Sequence, residues 1–291
     1  GDQPFYTMRF LRGETLRHGI SEYHKKRKDG ADDPLELRRL LGAFVGICHA
    51  LAYAHSRGVI HRDVKPSNIA LGDFGEVVLL DWGLAKLAHA EDNMSATLAL
   101  SDGAAGGETV AGRAVGTPSY MAPEQAQGQL DLIGPATDIY GLGATLFDLL
   151  IGKPPHKGET TAETLDRIIK GETPRARSVE PSVPPALDAI CAKAMAKSPS
   201  DRYARASDLA EDIHRWMADE PVSCYREPFA QRAARWARRH RTWTRAAAAS
   251  ARRTPPAPTN APRPPRRRSA GPATPAPAAP AAPRRRNRPA P

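Results

Sequence analysis

The chain has 291 residues, with 42 Lys+Arg against 32 Asp+Glu for a formal net charge of +10, and it carries 28 prolines, 23 glycines and only 6% aromatic residues. That length is enough for one or two domains with a sizeable core, and Cys48, Cys191 and Cys224, odd in number and widely scattered, exclude a small disulfide-stapled fold. With no run of 18 or more apolar residues, and neither a charged start nor an apolar run over residues 1–10, the expected setting is reduced and cytoplasmic, without a signal peptide.

Helical periodicity dominates the first 220 residues, and strands are few. Residues 14–27 and 35–55 read as helices; in the second, Leu37, Leu40, Leu41, Phe44, Ile47, Cys48, Leu51 and Ala54 recur at spacings of three and four. Residues 69–71 and 76–80 flank Gly72-Asp73-Phe74-Gly75 and predict a short hairpin. Residues 138–151 are apolar nearly all round, with Asp148 the single charge inside, so a central buried helix is expected. Further helices are predicted at 161–170, 186–197 and 206–218, the last with Ser207 as its cap and Glu211 nearby. A basic amphipathic stretch follows at 229–243. Of the 28 prolines, 13 lie from residue 255 onward among Ala and Arg, so residues 252–291 are expected to be disordered.

Charge divides along the same line. From residue 225 on there are 17 Arg, no Lys and one acid, Glu227, giving +16; the first 224 residues hold 25 basic and 31 acidic residues, giving −6. The positive sum therefore belongs to the tail and says nothing about the partners of the body.

Chemistry concentrates between the second helix and residue 124. His61-Arg62-Asp63-Val64-Lys65-Pro66-Ser67-Asn68 precedes the hairpin, Asp81-Trp82-Gly83 follows it, and Gly116-Thr117-Pro118-Ser119-Tyr120-Met121-Ala122-Pro123-Glu124 comes later. Phosphoryl transfer from a Mg-nucleotide needs such parts: a carboxylate to orient the attacking hydroxyl and take its proton, oxygen ligands for Mg²⁺, and a cation to offset charge on the moving group.

In these motifs, in this order, the sequence resembles the protein kinases, and more closely the bacterial relatives of the eukaryotic serine/threonine kinases, in which a Pro-Glu-Gln-Ala run like that at 123–126 is common. The resemblance runs to about residue 218 and implies an α+β, mainly α fold, the helical C-terminal lobe with its short β-hairpin. It implies Asp63 as catalytic base, Lys65 on the transferred phosphate, and Asn68 and Asp81 on Mg²⁺, with ATP as phosphoryl donor. Arg62 resembles the arginine that clamps a phosphorylated activation loop. His61, Trp82, Glu124, Asp138 and Arg202 take structural positions: Glu124 paired with Arg202, Asp138 tying the buried helix to the catalytic-loop backbone, and Trp82 standing where the family usually has Phe. Lys65 with Thr117 implies a protein substrate with a Ser or Thr acceptor. Between Asp81 and Glu124 the chain runs 44 residues, and Thr109, eight before Thr117, matches the place of an activating phosphate.

The smaller lobe of a kinase is hard to find. No G-x-G-x-x-G occurs, the first Lys is Lys25, and residues 1–13 resemble only the last strand of that lobe and the hinge, with Met8 at the back of the adenine pocket and Phe10 and Leu11 beside it. The expected organisation is a hinge remnant at 1–13, a kinase C-terminal lobe at 14–220, a basic helix at 221–251 and a disordered tail at 252–291. Such a fragment is expected to be a weak catalyst, because groups that hold the phosphates in line are absent from it. Two rivals stay open: a pseudokinase-like docking module, and a basic tail that binds an anionic membrane surface, with nucleic acid the less favoured partner; a parent anchored to the inner membrane fits the second.

Overall fold

Thr15 decides where the first helix begins. Its hydroxyl accepts the amide N–H of His18, so residues 13–15 stay extended and the helix starts two residues later than the periodic reading suggests. In a computed structural model that describes residues 13–31, 33–82, 86–87 and 118–239, this gives strand β1 (Gly13–Thr15) followed by helix α1 (Leu16–Lys28). Leu16, Gly19, Ile20 and Tyr23 form the buried stripe of α1, and Lys25, Lys26, Arg27 and Lys28 complement its carboxyl end.

Asp33 caps α2 (Pro34–Ser56) by accepting from Leu35 and Glu36, with Pro34 at the first helical position. By length and composition α2 is long and apolar enough to cross a membrane; its Leu40, Leu41, Phe44, Ile47, Cys48 and Leu51 are instead completely buried in the core. The hairpin is β3 (Ile69–Gly72) and β4 (Val77–Leu79), closed by Gly75 at φ 86°. β1 joins it, with Gly13 opposite Gly72 and Thr15 opposite Ala70, to make a three-stranded antiparallel sheet in the order β1-β3-β4. A second ribbon, β2 (Val59–Ile60) with β5 (Lys86–Leu87), is two residues long on each side and has no periodic signature to read.

After residue 117 the chain returns as a 3₁₀ turn at Pro118–Tyr120, a short helix α3 (Pro123–Ala126) and then α4 (Pro135–Ile151). Every residue from 137 to 150 of α4 is buried, so the predicted central helix starts three residues earlier, at a proline in its first turn. Gly141 serves contact: a Cβ there would come within 3.0 Å of the Val64 carbonyl oxygen, so the loop bearing Asp63 lies directly on α4. The remaining helices are α5 (Thr161–Lys170), α6 (Ala176–Val179), α7 (Pro185–Ala194), α8 (Ala206–Met217) and α9 (Phe229–Arg239). Arg205, not Ser207, is the N-cap of α8 and supplies no side-chain bond, which places Ser207 inside the first turn. The C-terminal boundary of the packed core also differs from the expected residue 220: Val222 is buried, and Ser223 bonds the Asp212 carboxylate through its amide (2.7 Å) and hydroxyl (2.6 Å). The described core belongs to the unit Gly1–Trp236 of the two into which the chain divides.

Candidate active site

The loop from His61 to Asn68 is organised by one buried carboxylate. Asp138, on the first turn of α4, accepts the amide of His61 at Oδ2 (2.8 Å) and the amide of Arg62 at Oδ1 (2.7 Å), and His55 Nε2 lies 2.8 Å from the same Oδ2. Arg62 sits at φ 72°, a left-handed conformation that costs a residue with a Cβ on the order of 1–3 kcal/mol. It is held there from both sides, since Gln125 Nε2 donates to its carbonyl at 2.9 Å.

His61 is fixed in one tautomer by its neighbours. Its Nδ1 faces the amide of Asp63 (3.2 Å), which can only donate, and its Nε2 faces the carbonyl of Leu80 (3.0 Å), which can only accept; the proton is therefore on Nε2. This imidazole bridges the loop to the end of β4, just before Asp81. A second link runs between the same segments, from the Leu80 amide to the Asn68 carbonyl at 2.7 Å. Asn68 and Asp81 are thus brought to one edge.

Around Asp63 the arrangement is asymmetric. Oδ2 receives Lys65 Nζ at 2.6 Å and Asn68 Nδ2 at 3.0 Å, and the same Nδ2 also donates to the Asp63 carbonyl at 2.9 Å. Both amide hydrogens of Asn68 are thereby spent within the loop, which leaves its Oδ1 as an oxygen ligand. Asp63 and Lys65 remain partly open, with side-chain exposures of 24% and 17%, while Asn68 is buried. Asp81 is exposed and sits at φ 61°, the second non-glycine residue of the site in left-handed backbone. A neutral amide oxygen and a carboxylate are hard donors of the kind Mg²⁺ takes, with phosphate oxygens and water completing the shell. No cluster of three or more His, Cys, Asp or Glu side chains suited to a metal occurs among the described residues.

A carboxylate steadied by a lysine two residues on, an amide ligand, and a second carboxylate after a strand form the constellation of a phosphotransferase, and the sequence pattern of the protein kinase domain matches residues 7–217. The chain belongs to the protein kinase family. It is 38% identical over 223 residues to the serine/threonine-protein kinase PknD of Protochlamydia amoebophila, covering 74% of this chain and 22% of that protein. It is 36% identical over 215 residues to a probable serine/threonine-protein kinase PknB of Bifidobacterium longum, covering 74% of this chain and 28% of that protein. A probable serine/threonine-protein kinase of Streptomyces coelicolor, SCO3848, is 34% identical over 220 residues, 75% of this chain and 29% of its own length. The chain thus spans less than a third of the length of each of these relatives.

Below the kinase loop, Glu124 and Arg202 form a buried bidentate pair at 2.7 and 2.8 Å. All five guanidinium hydrogens are used, because Arg202 also donates to the carbonyls of Ala136, Ala196 and Lys197, and the Thr137 hydroxyl donates to Glu124 Oε1. The pair fastens α3 to the start of α4. Trp82, where the family usually has Phe, is 38% exposed, edge-on to His61 with centroids 4.7 Å apart, and its indole N–H donates to the Leu79 carbonyl (3.0 Å), a bond that Phe cannot make.

Met8, Phe10, Leu11, Thr109 and Thr117 lie outside the described residues. Sequence reasoning missed His55, Gln125 and a triad made by Arg17, Tyr120 and Asp148. Asp148 Oδ2 accepts from Arg17 (2.6 Å) and from the Tyr120 hydroxyl, joining α1, α4 and the 118–120 turn. Burial, and then the neighbouring carboxylate, push the Tyr120 phenol up, so it stays a neutral donor. The single charge inside an apolar helix was the available signal for this triad.

Proposed function

We propose that this kinase chain forms the catalytic lobe of a serine/threonine protein kinase and transfers the γ-phosphoryl group of ATP to the hydroxyl of a protein Ser or Thr. The observation that carries this reading is the asymmetry at Asp63. With Oδ2 held by Lys65 and Asn68, Oδ1 is the oxygen left to orient the acceptor hydroxyl and take its proton. Lys65, anchored against Asp63, keeps a positive charge where the transferred phosphoryl group passes. Asn68 Oδ1 and Asp81 would hold Mg²⁺, which supplies neutralisation of charge on the β- and γ-phosphates when bound. Asp138, His61 and Gln125 touch no substrate in this scheme; they keep the loop in the strained geometry that aims Asp63.

Phosphate transfer to a mixture of Ser- and Thr-containing peptides in the presence of Mg-ATP tests the assignment. The 291 residues contain no glycine-rich phosphate loop, so turnover is expected to be slow. Asp63→Asn is expected to lower it a further 10²-fold or more, on the order of a lost general base. Label that is indifferent to Asp63→Asn, or that goes to Tyr instead, would overturn the proposal.

A further inference from the structure

Helix α9 plays no part in the site described above, and its faces differ sharply. At 3.6 residues per turn Phe229, Ala233 and Trp236 share one face, which Ala230 and Ala234 widen. All five are exposed, Phe229 at 83% and Trp236 at 59%. Arg232 borders that face, and Arg235 lies round the other side, where it forms an ion pair with Glu227. Glu227 is the single acid among residues 225–291, against 17 Arg, so this ion pair uses up the local negative charge and leaves the rest of the segment positive.

We propose that α9 is a membrane-surface helix that lies on anionic phospholipid. An aromatic residue at each end of the face with alanines between them gives a shallow apolar ridge, suited to the boundary between headgroups and acyl chains. It offers too few large side chains to build a core with a second helix. Arg232, exposed beside the ridge, extends its charged end to the phosphates while its stem covers apolar surface. A nucleic acid would satisfy the charge and can stack a base on an aromatic ring, but it would leave the alanines of the ridge in water, so lipid fits the whole helix better. The inference rests on α9 alone and stands or falls independently of the kinase assignment.

Flotation of the full chain with vesicles of phosphatidylcholine, with and without phosphatidylglycerol, tests it. The chain is expected to float only when phosphatidylglycerol is present. Phe229→Ser together with Trp236→Ser leaves every arginine in place and is expected to lower the partition coefficient about tenfold or more, with an unchanged melting midpoint. Undiminished flotation of the double variant would show that charge alone binds, and would overturn the proposal. So would a dimer in sedimentation velocity that the double substitution dissolves, or an oligonucleotide affinity that falls as steeply as vesicle binding in that variant.

Discussion

Arg202 shows how much one side chain carries. Its guanidinium reaches Glu124 and three backbone carbonyls, and neither side chain of the pair is more than 2% exposed. Arg202→Met would leave the Glu124 carboxylate buried with only the Thr137 hydroxyl, and is expected to cost about 3–5 kcal/mol in urea unfolding. Removing both charges, with Glu124→Gln added, is expected to restore part of that loss, because desolvation of an unpaired carboxylate is the larger share of it. The pairing of Glu124 with Arg202 and the tie from Asp138 to the backbone of the 61–68 loop are legible in the sequence, since each stands at a recognisable motif position. His55 and Gln125 are not: a histidine at a helix end and a glutamine after a glutamate look like ordinary surface residues, and their partners, Asp138 and Arg62, lie 83 and 63 residues away.

Elements meet at a second buried polar point. Tyr140 of α4 and His156, in the segment that follows it, lie 2.8 Å apart through the phenol oxygen and Nε2, and both are fully enclosed. Burial, and then the charge of Arg167, push His156 down to about 4, while burial pushes Tyr140 up to about 12, so a neutral imidazole accepts from a neutral phenol. In the unfolded chain His156 takes its proton near pH 6.5. Between that value and about 4 the unfolded state therefore binds more protons, and stability is complete above pH 6.5 and declines as pH falls through this window. The expected loss is roughly 3 kcal/mol. His156→Gln keeps an acceptor for Tyr140 and cannot titrate, so urea midpoints measured from pH 7.5 down to 5 are expected to fall less steeply in this variant. Part of the slope survives in His24, whose proton affinity burial also lowers. Helix α2 is readable from periodicity and α4 from its nearly unbroken apolar run; β2 and β5 are not, because two residues of backbone pairing leave no alternation to detect.

At the scale of the molecule, the acidic body and the arginine-rich segment obey different physics. Burial and hydrogen bonding hold the body together, and its described core closes with the strap that runs from α8 to Ser223. Ending the chain at residue 228 is expected to leave the thermal midpoint within about 2 °C of the parent value. Ending it at residue 220 strips Asp212 of both bonds from Ser223 and uncovers the surface that Val222 fills, with an expected loss of about 2–4 kcal/mol, read as a drop of several degrees. Residues 221–224 read in sequence as part of a basic segment outside the lobe. Their attachment depends on an aspartate 11 residues earlier, on the inward face of α8.

By itself the sequence determined the chemistry: which carboxylates, amide and cation stand in kinase order, which helix is buried on every side, and where the positive charge lies. Those properties are local, since composition, periodicity and motif spacing are written along the chain. Tertiary structure alone decided which oxygen of Asp63 is engaged by Lys65 and Asn68, which nitrogen of His61 carries the proton, and what holds Arg62 in left-handed backbone. It also decided that Gly141 is where the catalytic loop touches the central helix. The reason is common to all four: each depends on donors, acceptors or close contacts supplied by other parts of the chain, and folding alone sets those distances.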